Sequence, residues 1–393
     1  MIELILNYIF AAGIIFSHII GYIVSGLALI FIYKNWETIK KDKLIFFITL
    51  FLLYGFVWAF FTEYKKEAFE EMFTYLTSWL FPFILGCYII DNIKKENLIK
   101  TYISVFTVVL FFSVLSYFGV FYQEIAGSQL ARKGMHLHAL MWHISCGAMC
   151  VLLSCFTLIP LLFKENLSKN KRILLFSLTI FFMICLYLSG SRGYYIAGGI
   201  TYLLIFVFYI FKTGKFKIPL FICILSMIFV VIMFHNNKFM RERIYNTSIT
   251  KEWSLTNRID AYKVALSIYK DNFIFGVGPR QSVRQAGYHE KVLGVKKDPE
   301  SGRHMHSMYL NILSDFGSVG FIIFGIIIFL IFKRLFFIYK KENSILALCL
   351  LFAWCSLLIG DCFDTVLRGP RVAMDYFWLT GLILAKDFKS KIY

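Results

Sequence analysis

His306 is the residue whose type and position most clearly suggest chemistry. It lies in His304-Met305-His306-Ser307, directly before a long apolar run and after Arg303. Because an imidazole titrates near neutral pH, a histidine there is a candidate general base that takes a proton from a hydroxyl. Packing of the ring at the edge of the apolar run is the alternative. His304 and His306 have no third ligand at a suitable spacing, so we assign no metal and no cofactor.

Two arginines are candidate ligands for an anion. Arg192 stands in Ser189-Gly190-Ser191-Arg192-Gly193, a short connection between two apolar runs. Its small neighbours let an anion approach the backbone N–H groups at the start of the following helix. Arg258 opens a predicted helix near the positive end of the helix dipole, where a bound anion would offset its charge. The alternatives are an arginine that reaches lipid phosphates and an exposed arginine without a special role.

Together the three residues favour a phosphate-containing, lipid-linked substrate. Two guanidinium groups bind a pyrophosphate and stabilise its charge as it leaves, while the histidine accepts a proton from the attacking hydroxyl. This is the chemistry of a transferase. Weaker candidates for substrate binding lie close to these residues in the chain: Ser191, Arg280, Arg284, Arg303, His304 and Ser307.

The segments that carry these residues are predicted to span a membrane. The chain has 393 residues, 59% of them hydrophobic, and a mean hydropathy of +0.69. Its apolar runs are long enough to cross a hydrocarbon core of about 30 Å and too continuous for barrel strands. We predict an all-α polytopic bundle of eleven or twelve helices, the first run being one helix or a hairpin around Ser17-His18. The predicted spans are 2–33, 44–61, 72–90, 99–122, 137–163, 172–189, 193–211, 217–234, 306–332, 343–361 and 371–385.

The positive charge is explained by membrane topology rather than by nucleic-acid binding. Of the 41 lysines and arginines, 21 lie in the tail 386–393 and in alternate connections, beginning with 34–43. The four short loops on the other side hold only 7, and the long polar segment holds the remaining 13. Because basic residues favour cytoplasmic loops, we predict a cytoplasmic C-terminus and an exterior location for the long segment.

The long polar segment, residues 235–305, divides the predicted bundle into residues 1–234 and 306–393. Thr256-Asn257 offers helix caps, and the apolar spacing that follows predicts an amphipathic helix over about 257–271. That helix ends at the turn Gly276-Val277-Gly278-Pro279. From there to Arg303 we expect irregular structure, because glycine and proline recur.

Other reactive side chains receive no catalytic role. Eight of the nine cysteines fall inside predicted spans and Cys362 at an edge, without a Cys-x-x-Cys pair, so packing is expected. His136, His138 and His143 are expected at the membrane interface. In the last exterior loop, four charged residues either join the site or form a solvated edge: Asp361, Asp364, Arg368 and Arg371.

Four motifs lie within residues 170–330. They are Ser189-Gly190-Ser191-Arg192-Gly193; Asn257-Arg258 followed by Ala261 and Ala265; Phe275-Gly276-Val277-Gly278-Pro279; and His306-Ser307, nine residues before Gly317-Ser318-Val319-Gly320. Together they resemble the O-antigen ligase and polymerase superfamily, integral membrane glycosyltransferases that use polyprenyl-pyrophosphate-linked glycans. The chain departs from the family near Arg258, with Tyr262 where tryptophan is usual nearby.

The resemblance implies an inverting, metal-independent transfer in a helical bundle similar to the membrane part of C-type glycosyltransferases. It carries the family's functional residues over to His306 as base and to Arg192 and Arg258 as the pyrophosphate clamp. The expected partners are an undecaprenyl-pyrophosphate-linked glycan, a lipid A-core or growing glycan acceptor and the lipid bilayer, with no nucleic acid. The expected location is the inner membrane, with the site on its periplasmic face.

Four functions remain open at this point, one of them a non-catalytic membrane scaffold that no feature of the sequence specifically supports. The leading hypothesis is a ligase that moves the glycan to a hydroxyl of lipid A-core, which the spacing between His306-Ser307 and the glycine pattern favours. A polymerase that joins repeat units on the same carrier shares the donor chemistry. A transporter of lipid-linked oligosaccharides would also have many spans and exterior basic residues.

Overall fold

A computed structural model describes residues 2–16, 18–27, 39–88, 91–122, 124–125, 128–133, 135–217, 220–224, 253–295 and 305–389, with residues 231 and 235. The described helices are α1 (Ile2–Phe16), α2 (His18–Gly26), α3 (Lys43–Phe61), α4 (Lys65–Tyr75), α5 (Phe81–Cys87), α6 (Asn92–Tyr117), α7 (His143–Phe163), α8 (Lys169–Ser189), α9 (Arg192–Thr213), α10 (Trp253–Asp271), α11 (Gln281–Leu293), α12 (Met308–Glu342), α13 (Ile345–Gly360) and α14 (Pro370–Lys389).

Six of these described helices are long and apolar enough to cross a membrane: α3, α6, α7, α8, α9 and α12. The prediction of a polytopic helical membrane protein is therefore confirmed. The predicted span 217–234 lies largely outside the described residues. Helix α12 continues past the predicted end at residue 332 to Glu342, and its last turn carries Lys340 and Lys341. Basic side chains there interact favourably with the negative end of the helix dipole, so the helix can continue beyond the apolar segment.

The described chain forms two compact units. The first contains Met1–Phe106, Asn257–Ala347 and Asp361–Tyr393, and the second contains Thr107–Thr256 and Leu348–Gly360. The division of the sequence at residues 234 and 305 stays a prediction.

The first apolar run forms two helices in the first unit. Helix α1 ends at Phe16 and α2 begins at His18. A Cβ atom at Gly13 would lie 2.5 Å from the side chain of Ile20, so the two helices pack closely against each other. Of the two alternatives for this run, one helix or a hairpin around Ser17-His18, the structure contains the hairpin.

Aromatic rings form the centre of the first unit. Trp79 stacks on Phe51 with ring centroids 5.4 Å apart and on Phe377 at 5.2 Å. Phe316 of α12 lies 4.9 Å from Phe51. Trp79 belongs to a π-helical segment, Leu76–Leu80, between α4 and α5. Pro82 follows it, and its missing N–H removes one regular helical hydrogen bond.

Helix α7 is the most buried spanning helix of the second unit, where it packs against α8 and α9. Gly147 and Gly198 allow close approach in this unit, because a Cβ atom at either would lie 3.1 to 3.2 Å from its neighbours. Small cysteines fill the same interior: Cys146, Cys150, Cys155 and Cys185 are all buried. Two short hairpins precede α7, pairing β1 (Glu124–Ile125) with β2 (Ser128–Gln129) and β3 (Ala131–Arg132) with β4 (His136–Leu137).

The segment after Gly276 differs from the expected irregular structure, because α11 occupies 13 residues of it. Gly287 lies within this helix, and Gly294 ends it with a left-handed conformation of φ 64°. The buried face of α11 includes Ala286 and His289. Its first turn is stabilised from α12, where the Asp315 carboxylate accepts the Ser282 N–H at 2.9 Å. A capping carboxylate so far away in the chain cannot be recognised from the local pattern. The predicted helix over 257–271 is confirmed as α10, which begins earlier, at Trp253. Its buried face differs from the expected apolar stripe, because Ile259 and Leu266 are exposed and the buried side chains are Ala261, Val264, Ala265 and Ile268.

Candidate active site

Two of the sequence motifs form one interlocked structure in the first unit. Helix α12 is interrupted at Gly317, whose backbone has φ 63° and ψ −165°. The turn after α10 docks at this break: Val277 N–H donates to Ser314 O at 2.9 Å, and Gly278 N–H to Asp315 O at 2.8 Å. In the other direction, Ser318 N–H donates to Phe273 O at 3.0 Å. The break leaves N–H and C=O groups of α12 without partners in the helix, and the turn supplies hydrogen bonds to them.

Only glycine fits at the two points of closest approach. A Cβ atom at Gly317 would lie 2.4 Å from Ile274 O, and one at Gly276 would lie 2.5 Å from the backbone of Asp315. Both positions also have a positive φ. The Tyr54 hydroxyl closes the contact, donating to Phe275 O at 2.8 Å and to Phe316 O at 3.0 Å. This interlock fixes the first three turns or so of α12 against α10 and the turn that follows it.

His306 is held by its backbone directly before α12. Its φ is 47°, which is uncommon for a residue with a side chain. The Tyr262 hydroxyl, from α10, donates to His306 O at 3.2 Å and to Cys362 O at 2.9 Å. Two residues later, Met308 N–H donates to Asp361 O at 2.9 Å and to Asp364 O at 3.1 Å. A positive φ is unfavourable for a histidine, and the hydrogen bonds to His306 and Met308 hold the backbone in this conformation.

Arg258 lies on α10 one turn before Tyr262. Its guanidinium Nη2 is 3.6 Å from Asp364 Oδ2. Burial raises the pKa of the Tyr262 hydroxyl, so this group remains a hydrogen-bond donor at neutral pH. Tyr262 donates to the backbone of both His306 and Cys362, and Arg258 lies beside Asp364. Arg258 and His306 are therefore in the same part of the first unit.

A buried polar network lies beneath this segment, and the sequence reasoning missed it. Arg368 makes a two-pronged ion pair with Glu71 of α4: Nε donates to Oε1, and Nη2 donates to Oε2 at 3.0 Å. Arg368 Nη1 also reaches Asn311 Oδ1 at 3.5 Å, and Asn311 Nδ2 donates to Asp315 Oδ2 at 3.2 Å. Asn311 and Asp315 are fully buried. The network therefore ties α4 and the loop that carries Arg368 to the first turns of α12.

Asp361 acts on the backbone of that same loop. Its carboxylate accepts N–H groups of Val366 at 2.8 Å and Leu367 at 3.3 Å, and so caps a short 3₁₀ turn that carries Arg368. Burial raises the pKa of the Asp361 carboxyl well above its usual value. Of the four charged residues left open by the sequence, Asp361 and Arg368 are thus interior parts of the structure, and Asp364 contacts Arg258.

The weaker arginine candidates lie beside acidic residues of α4. Arg280 has φ 63° and precedes α11, and its Nη1 is 3.8 Å from Glu70 Oε2. Arg284 Nε donates to Glu67 Oε2 at 3.1 Å, and its guanidinium lies 5.0 Å from the Tyr64 ring centroid. The hydrogen bond from Arg284 lowers the pKa of Glu67. The role of Arg280 in substrate binding stays a prediction.

Arg192 is positioned in the second unit, at the first residue of α9. Gly190 ends α8 in a left-handed conformation with φ 69°, and Ser191 N–H donates to Ser189 Oγ at 3.3 Å. Both serine candidates are buried. Ser191 lies in the second unit, and Ser307 lies directly before α12 in the first unit. Arg303 and His304 lie outside the described residues. Within the described part of the chain, no group of three or more His, Cys, Asp or Glu could hold a metal ion.

Long apolar helices define a polytopic membrane protein, and the glycine-locked turn and the histidine before α12 form its candidate site. Residues 174–325 match the family model for O-antigen ligase. The match confirms the resemblance to the O-antigen ligase superfamily and covers all four motifs. It supports an O-antigen ligase- or polymerase-type glycosyltransferase function, which implies a lipid-linked glycan and a lipid or glycan acceptor in a membrane. Among curated proteins, none matches the chain.

Proposed function

We propose that this protein is a ligase that moves a glycan from undecaprenyl pyrophosphate to a hydroxyl of a lipid A-core acceptor. The reaction takes place at the periplasmic face of the inner membrane, and the C-terminus is cytoplasmic. The distribution of lysine and arginine supports this orientation.

The residues of the first unit supply the acceptor chemistry in this proposal. His306 takes the proton as the acceptor oxygen attacks the anomeric carbon of the glycan. The bond between that carbon and the pyrophosphate oxygen breaks, and the carrier leaves as undecaprenyl pyrophosphate. Attack opposite the leaving group inverts the anomeric centre, and this step uses no metal. A base fixed on a rigid backbone suits this task, because misplacement by about 1 Å can cost a hundredfold in rate.

Guanidinium groups stabilise the leaving pyrophosphate in the proposed reaction. Arg258 carries a neighbouring carboxylate, Asp364, at 3.6 Å, which keeps its side chain in place without saturating its five N–H donors. Arg192 belongs to the second unit, and its assignment to the donor rests on its motif. Arg280, Ser191 and Ser307 are proposed to contribute to substrate binding, as are Arg303 and His304.

One observation carries the proposal: within the segment that matches the ligase family, Arg258 and His306 converge on the same exterior loop, 361–364. A cation that binds phosphate and a base that accepts a proton are the two functions that the transfer requires. The glycine spacing after His306-Ser307 favours the ligase over the polymerase.

The test is reconstitution of the purified protein in lipid with undecaprenyl-pyrophosphate glycan and lipid A-core, in the presence of EDTA. Wild-type protein should produce glycan-bearing core, and His306→Ala should not. The matched control is His235→Ala, which removes an exposed histidine elsewhere in the chain and should retain transfer.

The products separate the remaining functions. Donor consumption with ladders of repeat units and no modified core would replace the ligase by the polymerase. Unchanged transfer by His306→Ala with a loss of glycan translocation would instead establish a transporter.

A further inference from the structure

Three consecutive apolar side chains are exposed at the turn after α10. Phe273, Ile274 and Phe275 form this apolar triplet, and they are 57%, 54% and 51% exposed. The turn itself is locked onto α12, so the three side chains are held at the surface in one arrangement. Adjacent apolar side chains that are fixed in this way are typical of a surface that binds a membrane or another protein, because water solvates them poorly.

The apolar triplet adjoins two helices that are long and apolar enough to cross a membrane. The Phe275 ring lies beside α3, with its centroid 6.0 Å from that of Trp58. Ile274 O accepts Val319 N–H of α12 at 3.2 Å. Both helices expose apolar side chains at helical spacing: Phe46, Leu53, Val57 and Phe60 on α3, and Ile322, Phe329 and Phe336 on α12. Such a face on a spanning helix contacts lipid, so the triplet adjoins a lipid-facing surface.

Helix α3 measures how deep the apolar triplet lies. The lysines at positions 40, 41 and 43 are exposed, and they mark the end of α3 that is opposite the triplet. Trp58, beside Phe275, follows Lys43 by 15 residues, which corresponds to about 22 Å at the helical rise. A hydrocarbon core is about 30 Å thick, so the triplet lies within the depth of the core.

Helix α12 gives an independent measure of this depth. Its Arg334 pairs with Asp42, the residue before α3, at 2.9 Å and so marks the same charged boundary. Gly317, where the turn docks, precedes Arg334 by 17 residues, or about 25 Å. A tilted helix crosses less thickness than its length, so a tilt would place the triplet further inside. Both helices therefore place the triplet just inside the far edge of the hydrocarbon core.

The backbone of the turn satisfies the main condition for a position in hydrocarbon, where a polar backbone group must find its partner within the protein. All three carbonyl groups of the apolar triplet accept hydrogen bonds from α12 or α3: Phe273 O from Ser318 N–H at 3.0 Å, Ile274 O from Val319 N–H at 3.2 Å and Phe275 O from the Tyr54 hydroxyl at 2.8 Å. The carbonyl groups are thus paired, while the apolar side chains next to them remain exposed.

Charged residues on both sides of the apolar triplet limit its insertion. Lys270 and Asp271, directly before it, are exposed, and so is Arg284 in the first turn of α11. Such groups stay in water or among the lipid headgroups, because the transfer of a charge into hydrocarbon is costly. The insertion is therefore shallow, about 5–10 Å as for other interfacial elements.

We infer that Phe273, Ile274 and Phe275 form a membrane anchor whose side chains enter the acyl-chain region of the bilayer, at the face where α3 ends. The partner is lipid rather than a protein surface, because the triplet adjoins two lipid-facing helices at hydrocarbon depth. The anchor holds the end of α10, the helix of Arg258, at the membrane. Its use in presenting Arg258 to a lipid-linked pyrophosphate rests on the proposed function, whereas the insertion itself does not.

The test is photolabelling of the wild-type protein in nanodiscs with phospholipids that carry a diazirine in the first half of an acyl chain. Trypsin cuts after Lys270 and Arg280, so the apolar triplet lies in one peptide, 271–280. This peptide should carry the label on residues 273–275. The matched control is peptide 285–291 of α11, which contains the exposed Tyr288 and should carry about tenfold less label because it stays outside the hydrocarbon. An unlabelled peptide 271–280 would overturn the anchor.

A nitroxide at Ile274→Cys, in a variant whose other cysteines are replaced, gives a second measurement. It should collide more with oxygen than with a water-soluble nickel chelate, as Ile322→Cys on the lipid-facing side of α12 should, whereas Gln285→Cys on α11 should show the reverse. Access of the chelate to Ile274→Cys would overturn the anchor. A nitroxide shielded from both reagents would assign the triplet to a protein partner and overturn it equally. Insertion without any glycan transfer would support the anchor while the ligase proposal fails.

Discussion

Arg258 combines a functional prediction with a defined environment. The sequence singled it out as a cation at a helix start, but this position was wrong: α10 begins at Trp253, so Arg258 lies in its second turn, with its guanidinium 3.6 Å from Asp364. His306 was likewise a candidate from its position, but its positive φ and its anchoring by Tyr262 depend on residues far away in the chain. The helix position of Arg258 and the contacts of both residues therefore came only from the structure.

Arg258→Ala should weaken donor use by about 2 kcal/mol, because a charge-assisted partner of the pyrophosphate is lost. Arg258→Lys should restore only part of this, since an ammonium group does not bind two oxygens in parallel. The measurement is kcat/KM for the donor in reconstituted transfer. The control is Arg172→Ala, an exposed arginine in the first turn of α8 on the predicted cytoplasmic side. Full activity of Arg258→Ala would remove this residue from the clamp.

At the level of elements, glycines join the turn after α10 to α12. The sequence contained both glycine motifs, but nothing in it indicated that they contact each other. Helix α11 was missed for a related reason, since the carboxylate that stabilises its start belongs to Asp315. Local patterns report on neighbouring residues, whereas these contacts connect separate segments.

Gly317→Ala should lower the stability by about 3 kcal/mol or more, because strain in the backbone adds to a clash with Ile274 O. The interlock should loosen, and transfer should fall with it. Gly325→Ala is the control in the same helix, where a Cβ atom would meet nothing within 4 Å and helix propensity favours alanine. Denaturation in mixed micelles measures the loss of stability, and the transfer assay measures the loss of activity. Equal stability of the two variants would contradict the interlock.

The Glu71–Arg368 pair should show strong energetic coupling. Glu71→Leu or Arg368→Met alone leaves a buried charge without its partner and should cost about 3–5 kcal/mol. The double variant should be more stable than the sum of the single effects predicts, because it buries no unpaired charge. A double-mutant cycle of the unfolding free energy measures the coupling. Glu67 and Arg284, a more exposed pair that joins α4 to α11, form the comparison cycle and should couple weakly. Additive effects at Glu71 and Arg368 would rule out the network.

For the whole molecule, the asymmetry of lysine and arginine predicts one orientation in the membrane. In a variant whose other cysteines are replaced, Cys362 should react with a membrane-impermeant maleimide added to intact spheroplasts, because it is exposed in an exterior loop. Ser168→Cys in the same background lies before α8, on the predicted cytoplasmic side, and should react only after lysis. The reverse pattern would invert the topology and remove the periplasmic site.

The sequence alone determined the helical membrane class, the family motifs and the candidate residues His306, Arg192 and Arg258. Hydropathy, charge distribution and motif spacing are properties of short segments, and these are sufficient for such conclusions. Only the tertiary structure revealed the glycine interlock, the Arg368–Glu71 pair across 297 residues and the packing of His136 on Gly190. These depend on side chains and backbone groups that approach one another only after the helices pack, so their free energies leave no periodic pattern in the chain.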